Sequence, residues 1–271
     1  MIVVACPDVD LVPDLTRRPA APPMEILYLD AVMIAVHKPS GLLVHRSLID
    51  KHETRFALQL VRDQIGQRVY PVHRLDKPTS GILVFALNPA TARALTAQFT
   101  AGLVQKTYQA IVRGYTPPAG VIDYALREEL DKIADALADP DKDPQPAITH
   151  YQRLCTVELP HPVGQHRTAR YSLVELQPKT GRKHQIRRHL KHIFHPVIGD
   201  TTHGDGRHNQ LFRDHFGNQR LLLAATAMQL IHPHSGEPLA ITASPGADFQ
   251  FIVSALGWGT RDRDNPRLLS Q

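Results

Sequence analysis

The order of apolar and polar residues divides the chain into many short β segments with a few helices between them. Ile26–Leu29 and Met33–Val36 read as two short strands around Asp30 and Ala31. Ile82–Leu87 is a continuous apolar and β-branched run, the pattern of a strand covered on both faces. Lys106–Gly114, Ile148–Leu159, Arg170–Gln177, Leu221–Ile231 and Leu239–Ala243 add further strands, the last two joined by a turn containing Gly236 and Pro238. Helical spacing starts at Phe56–Gln64, where Leu58, Val61 and Ile65 fall at i, i+3 and i+7. A second helix is expected from Asn88, a good N-cap followed by Pro89 at the first helical position, to a stop at Gly102, with Leu95 and Phe99 on one face. Thr180–His192 predicts a third, with Ile186, Leu190 and Ile193 as its apolar stripe and Lys183, Arg187 and Lys191 on a neighbouring face. Phe249–Trp258 predicts a short amphipathic helix, and Arg127–Asp143 a surface helix running into a Pro/Asp-rich loop. His195–Asn209 is Gly- and His-rich and reads as a long mobile loop, a kind of segment that often carries function.

The ends look different. Residues 1–23 hold five prolines and no sustained periodicity, so an irregular arm is expected there. Sequence from Thr260 on is polar and reads as a frayed tail. This leaves residues 24–258 as one domain, with Met24 as a possible alternative start.

Composition changes this picture little. With 42% hydrophobic and 21% charged residues in 271, the chain has the balance of a globular protein. It has no apolar run long enough to span a bilayer and no signal-peptide pattern, so no membrane partner is expected. Cys6 and Cys155 do not make a disulfide framework, which fits a reducing cytoplasm. Charge says more by its distribution than by its net value of +5. Gln177–Gly199 holds six Lys or Arg and four His with no acid, which suits either a solvated face or a phosphate-contacting one.

Candidate chemistry centres on PVHRLDKPTSGILVF, Pro71–Phe85. Pro78 and Gly81 punctuate a loop that enters the strand at Ile82. The loop carries Asp76 between Arg74 and Lys77, whose charges favour an ionised carboxylate suited to act as nucleophile or base. Taken alone, an Asp in a loop most often caps a turn, and Tyr108 on its strand reads as an ordinary half-buried tyrosine. His184, His189, His192 and His195 do not match a zinc spacing, lack a Cys or acidic partner and sit in a positive field, so no metal is expected.

The string HRLDKPTSG, His73–Gly81, resembles the catalytic motif of the RluA-type pseudouridine synthases: His-Arg-Leu-Asp, two variable residues, then Thr-Ser-Gly. Four further blocks resemble the same family: Lys38-Pro39-Ser40-Gly41-Leu42-Leu43-Val44-His45, the Lys-x-Tyr strand at Lys106–Tyr108, Thr180-Gly181-Arg182-Lys183-His184-Gln185-Ile186-Arg187, and Gly199-Asp200-Thr201-Thr202-His203-Gly204, which resembles Gly-Asp-x-x-His/Tyr-Gly. The resemblance covers about residues 24–258. It implies an α+β fold with a mixed, mostly antiparallel sheet flanked by helices and loops, and no S4-like RNA-binding domain ahead of it. It implies isomerisation of a uridine in RNA to pseudouridine, with Asp76 as the catalytic carboxylate, Arg187 pairing with it and Tyr108 contacting the base. Arg74 is expected to fill the gap left by a flipped base, and Lys38, Leu223, Arg182, Lys183 and Lys191 to contact substrate. No cofactor is needed. Several blocks, HFGNQRLLL among them, look nearest to members acting on position 65 in the T-stem of tRNA, so tRNA is the expected partner of a monomeric chain. Family members commonly carry His where this chain has Ala224. The alternatives are a synthase acting on ribosomal RNA or another tRNA position, a non-catalytic RNA-binding module, and a carbohydrate hydrolase pairing Asp76 with a second carboxylate such as Asp200.

Overall fold

The computed structural model describes residues 22–45, 54–128 and 143–259. Most of the arm, the tail from Thr260 and most of the expected helix after Arg127 lie outside the described residues.

In chain order the elements are β1 (Ile26–Leu29), β2 (Met33–Lys38), α1 (Ala57–Ile65), β3 (Tyr70–Pro71), β4 (Ser80–Ala86), α2 (Pro89–Thr100), β5 (Gln105–Arg113), β6 (Ala119–Asp123), β7 (Ile148–Leu159), β8 (Ala169–Pro178), α3 (Gln185–His192), α4 (Gly206–Phe216), β9 (Leu223–Ile231), β10 (Pro238–Thr242) and α5 (Ala247–Ala255). The strands form one mixed sheet in the order β1-β2-β4-β9-β5-β8-β7-β6, with β10 beside β9 and β3 beside β4. Every pairing is antiparallel except β4 with β9. The α+β class expected from the sequence is the class observed. No helix among the described residues is long and apolar enough to cross a membrane.

The central strands are apolar on consecutive positions because helices cover both faces. In β2 and β4, Met33, Ala35, Ile82 and Val84 pack with Leu95 of α2, while Ile34, Val36, Leu83 and Phe85 pack with Ala57 and Val61 of α1. The other half repeats the scheme. Ile111, Tyr171 and Leu173 meet Phe212 of α4 and Phe249 and Ile252 of α5; Ala110, Val112, Val174 and Leu176 meet Ile186 and Leu190 of α3.

Strand β9 touches β4 only at Ser80–Ala224 and Gly81–Ala225. That crossing is close. Gly81 has φ +109°, and a Cβ there would overlap the backbone of Ala225. Beyond it the strands diverge, and the N–H of Val84 donates to His73 Nε2 at 2.9 Å instead. His73 is therefore a neutral ring, stacked on Phe99 at 4.7 Å. Burial, helped by the Lys106 charge, pushes its pKa down to about 3.

Candidate active site

Where β4 and β9 part, the sheet opens into a cleft of about 1970 Å³. Small-molecule sites are roughly 300–1,000 Å³, so this one has room for a larger ligand. Among the described residues eight Lys or Arg line it (Arg74, Lys77, Lys106, Lys179, Arg182, Lys183, Arg187 and Arg220) against three carboxylates, Asp76, Glu128 and Asp248. A low-dielectric wall with this excess of cations concentrates polyanions.

Asp76 lies on the wall, its side chain 22% exposed, in the loop that precedes β4. Backbone bonds hold that loop. The N–H of Thr79 donates to Asp76 O at 3.0 Å, closing a turn, and the N–H of Gly41 donates to Lys77 O at 2.8 Å. Ser40 Oγ donates to Pro78 O at 2.7 Å. Lys38 completes the clamp. Its Nζ donates to Leu42 O at 2.7 Å, Pro39 O at 2.9 Å and Lys77 O at 3.0 Å. The Lys-Pro-Ser-Gly block is thus the seat of the loop that carries Asp76. Lys38, expected to contact substrate, has no exposed surface: its ammonium is spent on three carbonyls, and burial, helped by the Arg220 charge, pulls its pKa down to about 7.

Another wall comes from Thr180–Arg187. The helix does not begin at Thr180. Thr180 Oγ1 donates to Gln185 Oε1 at 2.6 Å, the Arg182 N–H donates to the same oxygen, and His184 takes φ +54°, so α3 starts only at Gln185. Lys183 consequently lies before the helix and not on the face carrying Arg187. Lys183 and Arg182 are exposed on the cleft, and Arg182 Nε donates to Pro146 O at 3.2 Å. Lys191 points to solvent, outside the cleft lining.

Arg187 is 4% exposed and serves two carboxylates. Its Nη1 donates to Asp76 Oδ2 at 3.4 Å. Its Nε and Nη2 donate in parallel to Asp200 Oδ2 and Oδ1 at 2.7 and 2.8 Å. Burial opposes the Arg187 charge, but its bonds to Asp200 more than offset this and raise its pKa; burial opposes the Asp200 charge too, and Arg187 holds that carboxyl below its ordinary range. Asp200 also accepts from the N–H groups of Thr202 and His203, both at 2.9 Å. With its oxygens committed, it has no role as the second carboxylate of a hydrolase. The family-like block at Gly199–Gly204 contains this residue without implying a role for it, although Asp two and three residues ahead of backbone N–H groups is a recognisable turn pattern.

His184, also unassigned from the sequence, places Nε2 4.0 Å from Asp76 Oδ2, and its Nδ1 shares a hydrogen bond with Nε2 of buried His203 at 3.0 Å. The other three histidines of the series have separate partners. His189 lies between Thr149 Oγ1 and Tyr124 O, His192 stacks on Tyr124, and His195 meets Arg113 O.

Tyr108, half-buried in β5, and Leu223, at the start of β9, close the inner wall. Burial, and then the Asp76 charge, raise the Tyr108 pKa well above its usual value, so it presents a neutral ring. Arg74 is exposed at the cleft beside Asp76. Ala224 lies in the close crossing, opposite Ser80. Ser80 Oγ accepts from Arg220 Nη2 at 2.6 Å, and Arg220 Nη1 reaches Asp248 at 2.9 Å, tying β4 to α5.

The model of the RNA pseudouridylate synthase family matches residues 32–192, which hold Asp76, Tyr108 and Arg187. The tRNA pseudouridine synthase C of Pectobacterium carotovorum subsp. carotovorum is 56% identical over 246 residues, covering 91% of this chain and 65% of that protein. The protein of the same name from Vibrio cholerae serotype O1 is 54% identical over 235 residues, covering 87% of this chain and 96% of its own length. Among solved structures, human RNA Pseudouridylate Synthase Domain Containing 4 superposes with a TM-score of 0.64 at 27% identity, over 86% of this chain and 93% of that one. Human RNA Pseudouridylate Synthase Domain Containing 1 shares the fold at a TM-score of 0.64 and 24% identity, over 84% and 86% of the two chains. A carboxylate seated in a cationic cleft, on a chain so closely related along most of its length, has one reading at the level of family: the chain belongs to the RNA pseudouridylate synthases.

Proposed function

We propose that the chain isomerises a uridine of tRNA, at position 65 in the T-stem, to pseudouridine, with Asp76 as the catalytic carboxylate. The observation that carries the chemistry is the placement of Asp76 on a clamped loop in a cationic cleft, 3.4 Å from a buried arginine. The substrate class rests on the names of the relatives, which are tRNA pseudouridine synthases.

The reaction breaks the N1–C1′ bond of the nucleotide, turns the uracil and joins C5 to C1′. N1 ends with a proton and C5 loses one, so nothing is added overall and no cofactor is required. A base in a paired stem is out of reach of Asp76 until it is extruded, at a cost of a few kcal/mol. Lysine and arginine contacts to phosphates supply much of the binding energy that offsets this. Arg74 takes the space the base leaves. Tyr108 and Leu223 pack against the extruded uracil. Asp76 acts on the ribose, as nucleophile at C1′ or as base at C2′; an acid-quenched ester between Asp76 and RNA would distinguish the first role from the second. Either role needs a carboxylate fixed in orientation, which Arg187 and the seated loop provide.

The test is carbodiimide labelling and primer extension on unmodified tRNA transcripts, with Asp76→Asn in parallel. The expected result is one stop at position 65, absent with the variant. A stop elsewhere, or only on ribosomal RNA, removes the proposed substrate. Substantial conversion by Asp76→Asn removes the proposed role of Asp76.

A further inference from the structure

Four aromatic side chains are exposed among the described residues: Tyr115, Tyr124, Phe194 and Phe251. Tyr115 lies under the guanidinium of Arg170 and Tyr124 stacks on His192. Phe194 follows α3 and is outside the cleft. Phe251 is the one that faces the cleft. The residue is 61% exposed, and no ring or cation stacks on its side chain among the described residues.

The helix that carries Phe251 is fixed relative to the catalytic loop. α5 buries Phe249, Ile252 and Leu256 at i, i+3 and i+7 in the core, which turns Asp248 and Phe251 outward. Asp248 is bound by Arg220, and Arg220 holds Ser80, four residues beyond Asp76. Ser80 Oγ also donates to Pro245 O at 3.2 Å, just ahead of α5. The bare ring is therefore held at a set distance from Asp76, in a cleft whose charge already favours a nucleic acid. A single exposed apolar side chain needs no explanation on an open surface. Here it is an aromatic face on a rigid support inside a polyanion site, which is the arrangement that stacks unpaired bases.

We infer that Phe251 is a stacking platform for an unpaired nucleobase of the bound RNA, exposed when the strand around the target uridine is opened. This rests on the proposed function. It adds a contact that reads bases as flat surfaces and carries no charge, and it makes binding prefer an opened strand to an intact duplex.

The experiment compares Phe251→Ala, Phe251→Leu and Phe251→Tyr, each in the full chain with Asp76→Asn to prevent turnover. The probe is an unmodified tRNA transcript, titrated by fluorescence anisotropy at several salt concentrations. Phe251→Ala is expected to weaken binding roughly tenfold, the usual cost of losing one base stack. Phe251→Leu keeps the apolar bulk and should lose nearly as much, while Phe251→Tyr should bind as the parent does. The plots of log Kd against log salt should stay parallel, because no phosphate contact is removed. Unchanged binding by Phe251→Ala, full binding by Phe251→Leu or a changed salt slope would each overturn the inference. Pseudouridine formation by the unmutated protein is scored separately. Active protein with an unaffected Phe251→Ala variant discards the platform alone; inactive protein whose RNA binding still depends on the aromatic ring discards the reaction alone.

Discussion

Arg187 donates to two carboxylates, and the two should respond in opposite ways to removal of their charge. The perturbation is Asp→Asn, at Asp200 and at Asp76. Asp200 has a side chain only 1% exposed and makes two parallel, short bonds to a guanidinium that is itself 4% exposed. Neutralising it leaves a buried cation without its main partner, and breaking a buried pair in this way costs about 3–5 kcal/mol. Asp76 is 22% exposed and meets Arg187 by one bond of 3.4 Å, a geometry worth about 1 kcal/mol or less. Asp76→Asn should therefore be nearly as stable as the parent and inactive. Asp200→Asn should be strongly destabilised and, where still folded, slow in the chemical step with RNA affinity unchanged, since Asp200 never faces the RNA. Urea denaturation followed by circular dichroism reads the first difference. With a slope of about 2–3 kcal/mol per molar for a chain of this size, Asp200→Asn should lower the midpoint by roughly 1–2 M and Asp76→Asn by no more than about 0.5 M. Single-turnover conversion of tRNA below the midpoint reads the second. Equal midpoints for the two variants, or a larger loss for Asp76→Asn, would refute the assignment of Asp200 as the anchor of Arg187.

The same structure makes four further predictions. Lys38→Met removes the donor to three loop carbonyls and should cost about 2–4 kcal/mol along with most activity; a stable, active variant would show that Ser40 and Gly41 seat the loop without it. Gly81→Ala forces a Cβ into the Ala225 backbone at a positive φ and should fail to accumulate as soluble protein, so normal expression and unfolding midpoint would contradict the close crossing of β4 and β9. His73 is neutral in the fold to about pH 3 against an ordinary 6.5, so on unfolding it takes up a proton within that window; stability should rise with pH across it and be lost as pH falls, at up to about 1.4 kcal/mol per pH unit from this residue, and urea midpoints of His73→Gln should show a shallower slope between pH 4.5 and 6.5. Arg182→Glu with Lys183→Glu should weaken tRNA binding and flatten its salt dependence by about one to two phosphate contacts, whereas Lys191→Glu, outside the cleft, should do much less.

Local signals were strongest where burial is continuous or a cap is explicit. The apolar, β-branched run at Ile82–Leu87 reads as a covered strand and is one, and Asn88 accepts the N–H of Thr91 as an N-cap should. The short strands β3 and β6 and the helix α4 carry little periodic signal, because they are short or hold few apolar positions. Yet α4 had punctuation at both ends, Asp205 accepting from the Arg207 N–H and Gly217 in the left-handed region. Its first four residues end the stretch His195–Asn209 that reads as a loop, where Gly, His and polar residues dominate, and its buried face of Asn209, Leu211 and Phe212 holds two apolar side chains.

The errors at the site share a different cause. Spacing puts Lys183 on a helix face with Arg187, and the resemblance makes Lys38 a substrate contact; neither signal reports what a side chain is bonded to. Three backbone carbonyls from two separate turns decide that Lys38 points inward, and two of the three come from its own turn, whose fold is set by contact with the loop that carries Asp76. A glutamine side chain decides that α3 starts late: Gln185 takes up Thr180 and Arg182 and also donates to Ile148 O and Thr149 Oγ1 across the sheet. Both are long-range satisfactions of buried polar groups, which no periodicity encodes. The partnership of Arg187 with Asp200 is of the same type. The family-like motifs name Asp76 and Arg187, but an arginine buried to 4% exposure cannot be held there by one carboxylate that is itself 22% exposed. A second acid was required on physical grounds, and a site with a buried cation and a single exposed anion is incomplete until that acid is found.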